Sequence, residues 1–357
     1  MHLRLERLAF VLAACVLSAA VGSCGVTTSK EDTAGGVTIR LLTHDSFALS
    51  DGLLASFTDE TGITVEIIQG GDAGTVVNQA ILTNGNPQAD VLFGIDSTFL
   101  TRALEENLFL PYRASAIDDV DAALQLDPDH RVTPIDYGDV CLNYDKAYFA
   151  DQGVPVPERL ADLTRPIYRD LLVVENPATS SPGLAFLLAT IAVFGPEDWQ
   201  GWWSEMHANG VRVASGWEEA YYGQFSGGAG SEGTRPLVVS YASSPAAEVI
   251  YADPPIAEAP TGVITDGCYR QVEGAGILAG TEHEAEAGML IDFLLSPEVQ
   301  ADVPTSMFVY PVRRGVAVPS VFLDVAVRPE RVAALAPAQI SSHRDEWIDA
   351  WTDLVLR

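Results

Sequence analysis

Six clusters of small, polar and aromatic residues in this 357-residue chain carry side chains that could hold a ligand. They are His44-Asp45-Ser46, Gly70-Gly71-Asp72-Ala73-Gly74, Asp96-Ser97, Thr179-Ser180-Ser181-Pro182-Gly183, Gly216-Trp217-Glu218-Glu219 and Tyr241-Ala242-Ser243-Ser244-Pro245. Together they offer carboxylates, hydroxyls, aromatic faces and a helix start at Ser180-Ser181 whose N–H groups suit an anion such as phosphate. Each cluster alone is more often a cap or a turn. Covalent chemistry has weaker support, because the chain contains no GxSxG, HExxH or phosphate loop. The run Gly228 to Gly233 matches GxGxxG, but it precedes a strand instead of following one, so it reads as a loop. The run Gly274 to Ala279 is a second weak match with the same reading. With 49 Asp and Glu residues, no particular carboxylate pair argues for acid–base catalysis. We therefore expect no enzyme and no cofactor.

The elements around these clusters alternate. Val37 to Thr43, Ile63 to Ile68, Ala89 to Ile95, Leu171 to Glu175, Val211 to Ala214 and Leu237 to Tyr241 read as strands, by their apolar and β-branched content. Gly52 to Glu60, Thr75 to Thr83, Leu184 to Phe194, Trp199 to Asn209 and Glu284 to Leu295 read as helices, and Ala338 to Leu356 as a terminal helix or helix pair. Alternation of this kind predicts parallel α/β layers, repeated in two lobes. In open α/β sheets ligands sit beyond the carboxyl ends of strands. All six clusters lie at such positions, which points to one shared cleft.

The N-terminus sets the compartment. Arg4 and Arg7 adjoin the apolar run Leu8 to Val21, which falls short of the roughly 20 residues of a membrane-spanning helix and reads as a signal-peptide core. Val21-Gly22-Ser23-Cys24 has the aliphatic-x-small-Cys pattern of a bacterial lipoprotein signal, so Cys24 is the expected lipid attachment site and residues 1–23 the cleaved signal. Residues 24–36 are polar and Gly-rich, a flexible tether. Cleavage leaves 334 residues, enough for two domains, and moves the formal charge from −29 to −30, since Arg4, Arg7 and Glu6 leave together. Such a field repels nucleic acid and would concentrate a cationic solute, or else it only keeps an acidic, Lys-poor protein in solution, so charge alone does not identify a ligand. Of four cysteines, Cys15 leaves with the signal and Cys24 carries lipid; Cys141 and Cys268 remain, and an oxidising exterior permits a disulfide between them. Two isolated cysteines do not make a zinc site.

The order of these segments resembles the periplasmic thiamine-binding proteins of ABC importers over almost the whole folded chain. The residues that carry the resemblance are THDSFALSDG at 43–52, ADVLFGIDS at 89–97, PIDYGDVCLNYDK at 134–146 and NPATSSPGLAFLL at 176–188. SGWEEAYYGQF at 215–225, LVVSYASSPA at 237–246, CYRQVEGAG at 268–276 and FLLSPEVQADVPTSMFVYPV at 293–312 complete it. FLLSPEVQ is common to many binding proteins, whereas DSF, TSSPGL, GWEEAY and SYASSPA in this order are far more specific.

The resemblance implies a two-lobed periplasmic-binding-protein fold of class II type, with the ligand cleft between lobes joined by two crossover strands. It places lobe 1 at 37–136 plus 270–315, lobe 2 at 137–269, and C-terminal helices at 316–357 packing on the body. It implies a monomeric protein, anchored to the cell membrane through Cys24, that captures thiamine or a thiamine phosphate for an importer permease. Ligand contacts carry over to Gly74, Ser180, Ser181, Trp217, Tyr241, Ser243 and Ser244, with Asp45, Ser46, Asp96, Tyr221 and Phe308 lining the cleft. It also puts Cys141 and Cys268 on neighbouring hinge strands, placed for a bond. The chain departs from the family at His44 (a Tyr there), Phe308 (a Trp), Ala247 (a Tyr) and Ala73 (an acidic residue), so its aromatic enclosure is thinner. Two alternatives remain: ferric-ion binding through Tyr221-Tyr222 with His44, Asp45 and Glu218 as hard ligands, and a cell-surface enzyme acting on a thiamine-like substrate.

Overall fold

Strand periodicity decides what the sheet must bury. Ile39 and Leu41 face one side of the first strand and Leu42 the other, while Val91 and Phe93 oppose Leu92 in the third, and all are inaccessible or nearly so. Strands that are apolar on both faces need cover on both. The structure, a computed structural model, describes residues 36–357 and shows that cover. The expected signal peptide and the lipid-bearing Cys24 lie outside the described residues.

Ten strands build one mixed sheet: β1 (Thr38–Thr43), β2 (Thr64–Gln69), β3 (Val91–Asp96), β4 (Phe109–Leu110), β5 (Thr133–Asp145), β6 (Leu172–Glu175), β7 (Arg212–Ala214), β8 (Leu237–Tyr241), β9 (Thr261–Leu278) and β10 (Tyr310–Pro311). The main order is β2-β1-β3-β9-β5-β8-β6-β7, with β10 on β5 and β4 on β9. Parallel pairing holds at the two ends, β2-β1-β3 and β8-β6-β7, as the alternation predicts. Between them the pairing is antiparallel, which the expectation of purely parallel layers missed. The cause is β5 and β9, 13 and 18 residues long, which run from one end group to the other and pair from Thr133↔Ala275 to Asp145↔Thr261. The fold is thus the expected two-lobed α/β architecture, its halves joined by two shared strands.

The helices cover this sheet where the sequence puts their apolar stripes. One layer sets Phe57, Leu290, Ile291, Leu294 and Val299 on the Ile39/Leu41/Phe93 face. On the other side the helix Ser181–Phe194 is buried without interruption from Ser181 to Ile191. A helix apolar all round must be enclosed, and the helix Trp199–Ala208 helps enclose it: Trp203 donates Nε1–H to Thr190 Oγ1 at 3.0 Å. The C-terminal segment is a single helix, Pro337–Val355, whose Trp351 ring meets Trp203 edge-on at 5.5 Å. Removing that ring would cost on the order of 3–5 kcal/mol. No helix of the described residues is long and apolar enough to cross a membrane.

Cys141 and Cys268 are bonded across β5 and β9, with Cα atoms 4.4 Å apart. The pair sits where the β5–β9 register shifts between Val140 and Leu142, so it staples the ladder at one of its two irregular points. It closes a loop of sequence separation 127, worth on the order of 4–5 kcal/mol in the chain-entropy description. Non-reducing peptide mapping should recover Cys141 and Cys268 peptides joined to each other, and reduction should lower the thermal midpoint; recovery of both cysteines as free alkylated thiols would contradict the bond.

Candidate functional site

Loops leaving the strand ends converge on one cavity. His44, Asp45 and Ser46 follow β1, Asp72 and Ala73 follow β2, Asp96 ends β3, and Asp136, Gly138, Gln271 and Glu273 come from β5 and β9. Ser181 and Pro182 begin the long buried helix, Trp217, Tyr221 and Tyr222 follow β7, and Tyr241, Ser244 and Ala247 follow β8. Met307, Phe308 and Val309 close the rim. About 840 Å³ of space unfilled by atoms lies between these residues, part of it open solvent.

Of the residues expected from the sequence, Asp45, Ser46, Asp96, Ser181, Trp217, Tyr221, Tyr241, Ser244 and Phe308 line this cavity. Gly74, Ser180 and Ser243 do not line it. Gly74 lies beneath the wall, where an added Cβ would stand 2.7 Å from the Thr179 carbonyl and the Phe99 ring. Ser180 is a buried N-cap whose Oγ accepts the Gly183 N–H at 3.3 Å. Ser243 is buried before the helix Ser244–Ile250. Sequence reasoning missed Asp136, Gln271 and Glu273. Their signal was an acidic or amide side chain inside an otherwise apolar strand, which reads as solvent-facing unless the strand is known to be central.

The aromatic wall is anchored by its polar handles. Trp217 donates Nε1–H to Ser240 Oγ at 2.9 Å, stacks on Tyr221 at 5.1 Å and meets Tyr222 edge-on at 5.5 Å. Tyr221 turns its hydroxyl to Glu248 Oε1 at 2.8 Å, while Tyr222 is partly exposed. Tyr241 donates its hydroxyl to Gln271 Oε1 at 3.0 Å and packs over Gly138. Phe308 holds φ at +59°, a left-handed conformation costly for an aromatic residue, and packs edge-on against Tyr251 at 5.5 Å.

Acidic groups form the rest. Asp96 accepts the Thr98 N–H at 2.5 Å and the Ser181 hydroxyl, while Gln271 donates to Ser181 Oγ at 2.5 Å. Burial pushes the Asp96 carboxyl up to about 7, the bonds from Thr98 opposing. Asp136 is pushed well up by burial and then by the Glu273 charge beside it, and its Oδ2 has no hydrogen-bond partner among the described residues. Glu273 pairs with His44 Nε2 at 3.2 Å. Burial opposes the His44 charge, but Glu273, Asp72 and Asp45 outweigh it and hold the imidazolium above its ordinary value. Gly94 permits this arrangement: its φ of +107° shifts the β3 register, and an added Cβ would meet His44 Cδ2 at 2.8 Å.

Direct hydrogen bonds cross between the two halves. Asp72 accepts the Ser181 N–H at 3.0 Å and the Trp217 N–H at 2.9 Å, Thr75 N–H reaches the Thr179 carbonyl at 3.0 Å, and Ser46 Oγ donates to Glu218 Oε1 at 2.9 Å. Short polar contacts therefore draw the two sides of the cavity together. Such a chamber, aromatic on one wall and acidic on another, suits an organic cation. A ferric site is less well provided: the Tyr221 hydroxyl is committed to Glu248, burial and the Glu248 charge push it well up, and Tyr222 is pushed up to about 12 by burial, then by Glu218 and Glu248. Among the described residues, no three His, Cys, Asp or Glu side chains are grouped to hold a metal ion.

Residues 86–330 match the family of bacterial extracellular solute-binding proteins. The chain is 29% identical to the thiamine-binding periplasmic protein of Salmonella typhimurium, over 89% of this chain and 94% of that one. It is 28% identical to the protein of that name in Escherichia coli, again over 89% and 94%. A solved periplasmic thiamin binding protein superposes with a TM-score of 0.79 at 26% identity, covering 90% of this chain and 96% of the other.

The buried acids set a pH dependence. Asp96 titrates at about 7 when folded, against 3.8 for the free side chain, so the folded state binds more protons in between and stability falls as pH rises through that window. His44, raised above 6.5, works in the same direction: its contribution is complete below 6.5 and is lost as pH rises through its folded value. For Asp96 the span corresponds to roughly 4 kcal/mol at most. Calorimetry of the ligand-free protein should show a midpoint that falls from pH 5 to pH 8, with a flatter profile for Asp96→Asn; identical profiles for the two proteins would exclude Asp96 as a source.

Proposed function

The chain belongs to the bacterial extracellular solute-binding protein family, and we propose that it captures thiamine outside the cytoplasm and hands it to the permease of an ABC importer. The observation that carries this reading is the juxtaposition, in one chamber, of the Trp217, Tyr222, Tyr241 and Phe308 rings with the Asp45, Asp72, Asp96, Asp136 and Glu273 carboxylates. Thiamine carries a permanent thiazolium charge on an aromatic ring. Ring faces and carboxylates both favour such a cation, and an aminopyrimidine edge needs the paired donors and acceptors that Ser181, Gln271 and Tyr241 carry. The resemblance to thiamine-binding proteins over most of the chain points the same way. His44 fits this scheme as a charge already neutralised by Glu273.

The family places the protein outside the cytoplasm. Anchoring through lipid on Cys24 after loss of residues 1–23, a monomeric state, and capture without catalysis complete the proposal. We set the lobes at 37–136 plus 270–315 and at 137–269, with residues 316–357 against the body, so that closure hinges on β5 and β9. In support of that last placement, the helix Pro337–Val355 buries Arg344 over the Phe99 ring at 4.8 Å and Trp351 against Trp203.

Isothermal titration with thiamine tests the reading, together with mass spectrometry of any small molecule released on denaturing the freshly purified protein. Thiamine should bind, and Trp217→Ala should weaken it by roughly 1–3 kcal/mol through lost cation–π contact and apolar burial. A purely structural Trp217 would instead lower the thermal midpoint and leave the affinity of the folded protein intact. Affinity should also fall as pH drops below about 7, because a cation beside Asp96 favours its charged form and must expel the proton held there; binding indifferent to pH between 6 and 8 would speak against Asp96 as a cation partner.

A further inference from the structure

The helix Pro297–Ser306 gives way to β10 within a short turn, and Phe308 makes that turn. The Met307 N–H caps the helix on the Val303 carbonyl at 3.0 Å, and Tyr310 pairs with Tyr137 of β5, so the backbone is fixed on both sides. Phe308 takes up the change of direction at φ +59°, a conformation that persists only where the surroundings hold it. Its ring packs on the cluster of Ala246, Tyr310 and Phe322 and, edge-on at 5.5 Å, on Tyr251. Tyr251 comes from the other half, at the end of the helix Ser244–Ile250 that follows β8. It gives its N–H to the carbonyl of cavity-lining Ala247 at 3.0 Å, one turn earlier on the same helix face. Its hydroxyl donates to the Thr305 carbonyl at 2.8 Å. That carbonyl belongs to the last turn of its helix, where no intrahelical donor remains. The acceptor is tied to the first half, since Asp302 Oδ2 accepts the Ser50 N–H at 2.8 Å and the Ser306 hydroxyl at 2.7 Å. Tyr251 itself is 64% exposed and lies outside the cavity lining, so little of the core rests on it.

Resting on the thiamine reading above, we propose that Tyr251 is a positioning residue that keeps the Phe308 ring at the rim of the cavity and so slows the release of bound thiamine. The ring leaves the rim only when its side chain changes rotamer or its segment moves. Tyr251 opposes the first through the edge-on contact and the second through the bond to Thr305. It also joins the halves through residues other than those that Asp72 joins, so the cleft is held at two places. An exposed residue of this kind acts on departure of the ligand more than on its arrival, and differences among variants of one site lie mostly in the dissociation rate.

Stopped-flow fluorescence of the purified protein, loaded with thiamine and then diluted, reads that release. Tyr251→Ala should speed it by about three- to tenfold, the range of a lost aromatic pair and its hydrogen bond, with the thermal midpoint of the ligand-free protein unchanged. Tyr251→Phe, which keeps the ring and loses only the bond to Thr305, should fall between the wild type and Tyr251→Ala. Because Tyr251 acts through Phe308, Tyr251→Ala should add little in a Phe308→Ala background. Release from both Tyr251 variants at the wild-type rate, with or without a lowered midpoint, would overturn the inference while leaving thiamine binding in place. So would a Tyr251→Ala effect that persists in full without the Phe308 ring. A wild type that binds no thiamine would overturn the thiamine reading itself, and this one with it.

Discussion

The antiparallel ladder between β5 and β9 is the constraint on which the rest depends. These two strands are long enough to belong to both halves of the sheet, so the loops that face the cavity from either half are carried on one continuous ladder. Asp136 and Glu273 stand opposite each other on that ladder, with Gly138 and Gln271 a step further along. The ladder thus supplies the acidic floor of the chamber, while loops after the parallel strands supply its aromatic and hydroxyl walls. Its disulfide sits at a register shift, where hydrogen bonding is interrupted and a covalent tie adds most.

That division explains what the sequence disclosed. The end strands were legible because Ile39, Leu41, Val91, Phe93 and Val238 are packed into short apolar runs bounded by turns, and the polar clusters were legible because they break those runs at one end. Asp136, Gln271 and Glu273 were not, because an acidic or amide residue in a strand is ordinarily read as solvent-facing, and only the long-range pairing of β5 with β9 shows that both faces there are interior. Gly74, Ser180 and Ser243, which the family resemblance put among the ligand contacts, lie behind the cavity wall: Gly74 lets the helix Ala73–Leu82 approach Thr179, Ser180 caps the helix Ser181–Phe194, and Ser243 is buried just before the helix Ser244–Ile250. Asp72 was visible as a residue, yet its reach to Ser181 and Trp217, more than a hundred positions away, is a tertiary fact with no local signal.

Burial of so many acids in one chamber is unfavourable in the absence of a cation, since desolvation alone raises the carboxyls of Asp72, Asp96 and Asp136. Protons relieve part of that cost in the empty site, and a bound cation would relieve it in the filled one. Affinity for a cation is therefore drawn from a strain already present in the fold, and the ligand and the proton become competitors for the same charges. The His44 imidazolium, opposed by burial but held above its ordinary value mainly by Glu273 beside it at 3.2 Å, sets one positive charge among these acids.

Asp72 ties the two halves together across the cleft. Its two N–H bonds join residues from opposite halves, so this one carboxylate helps hold the cleft shut. Burial pushes its carboxyl up, while the Trp217 and Ser181 N–H groups oppose that shift, so closure itself works to keep it ionised.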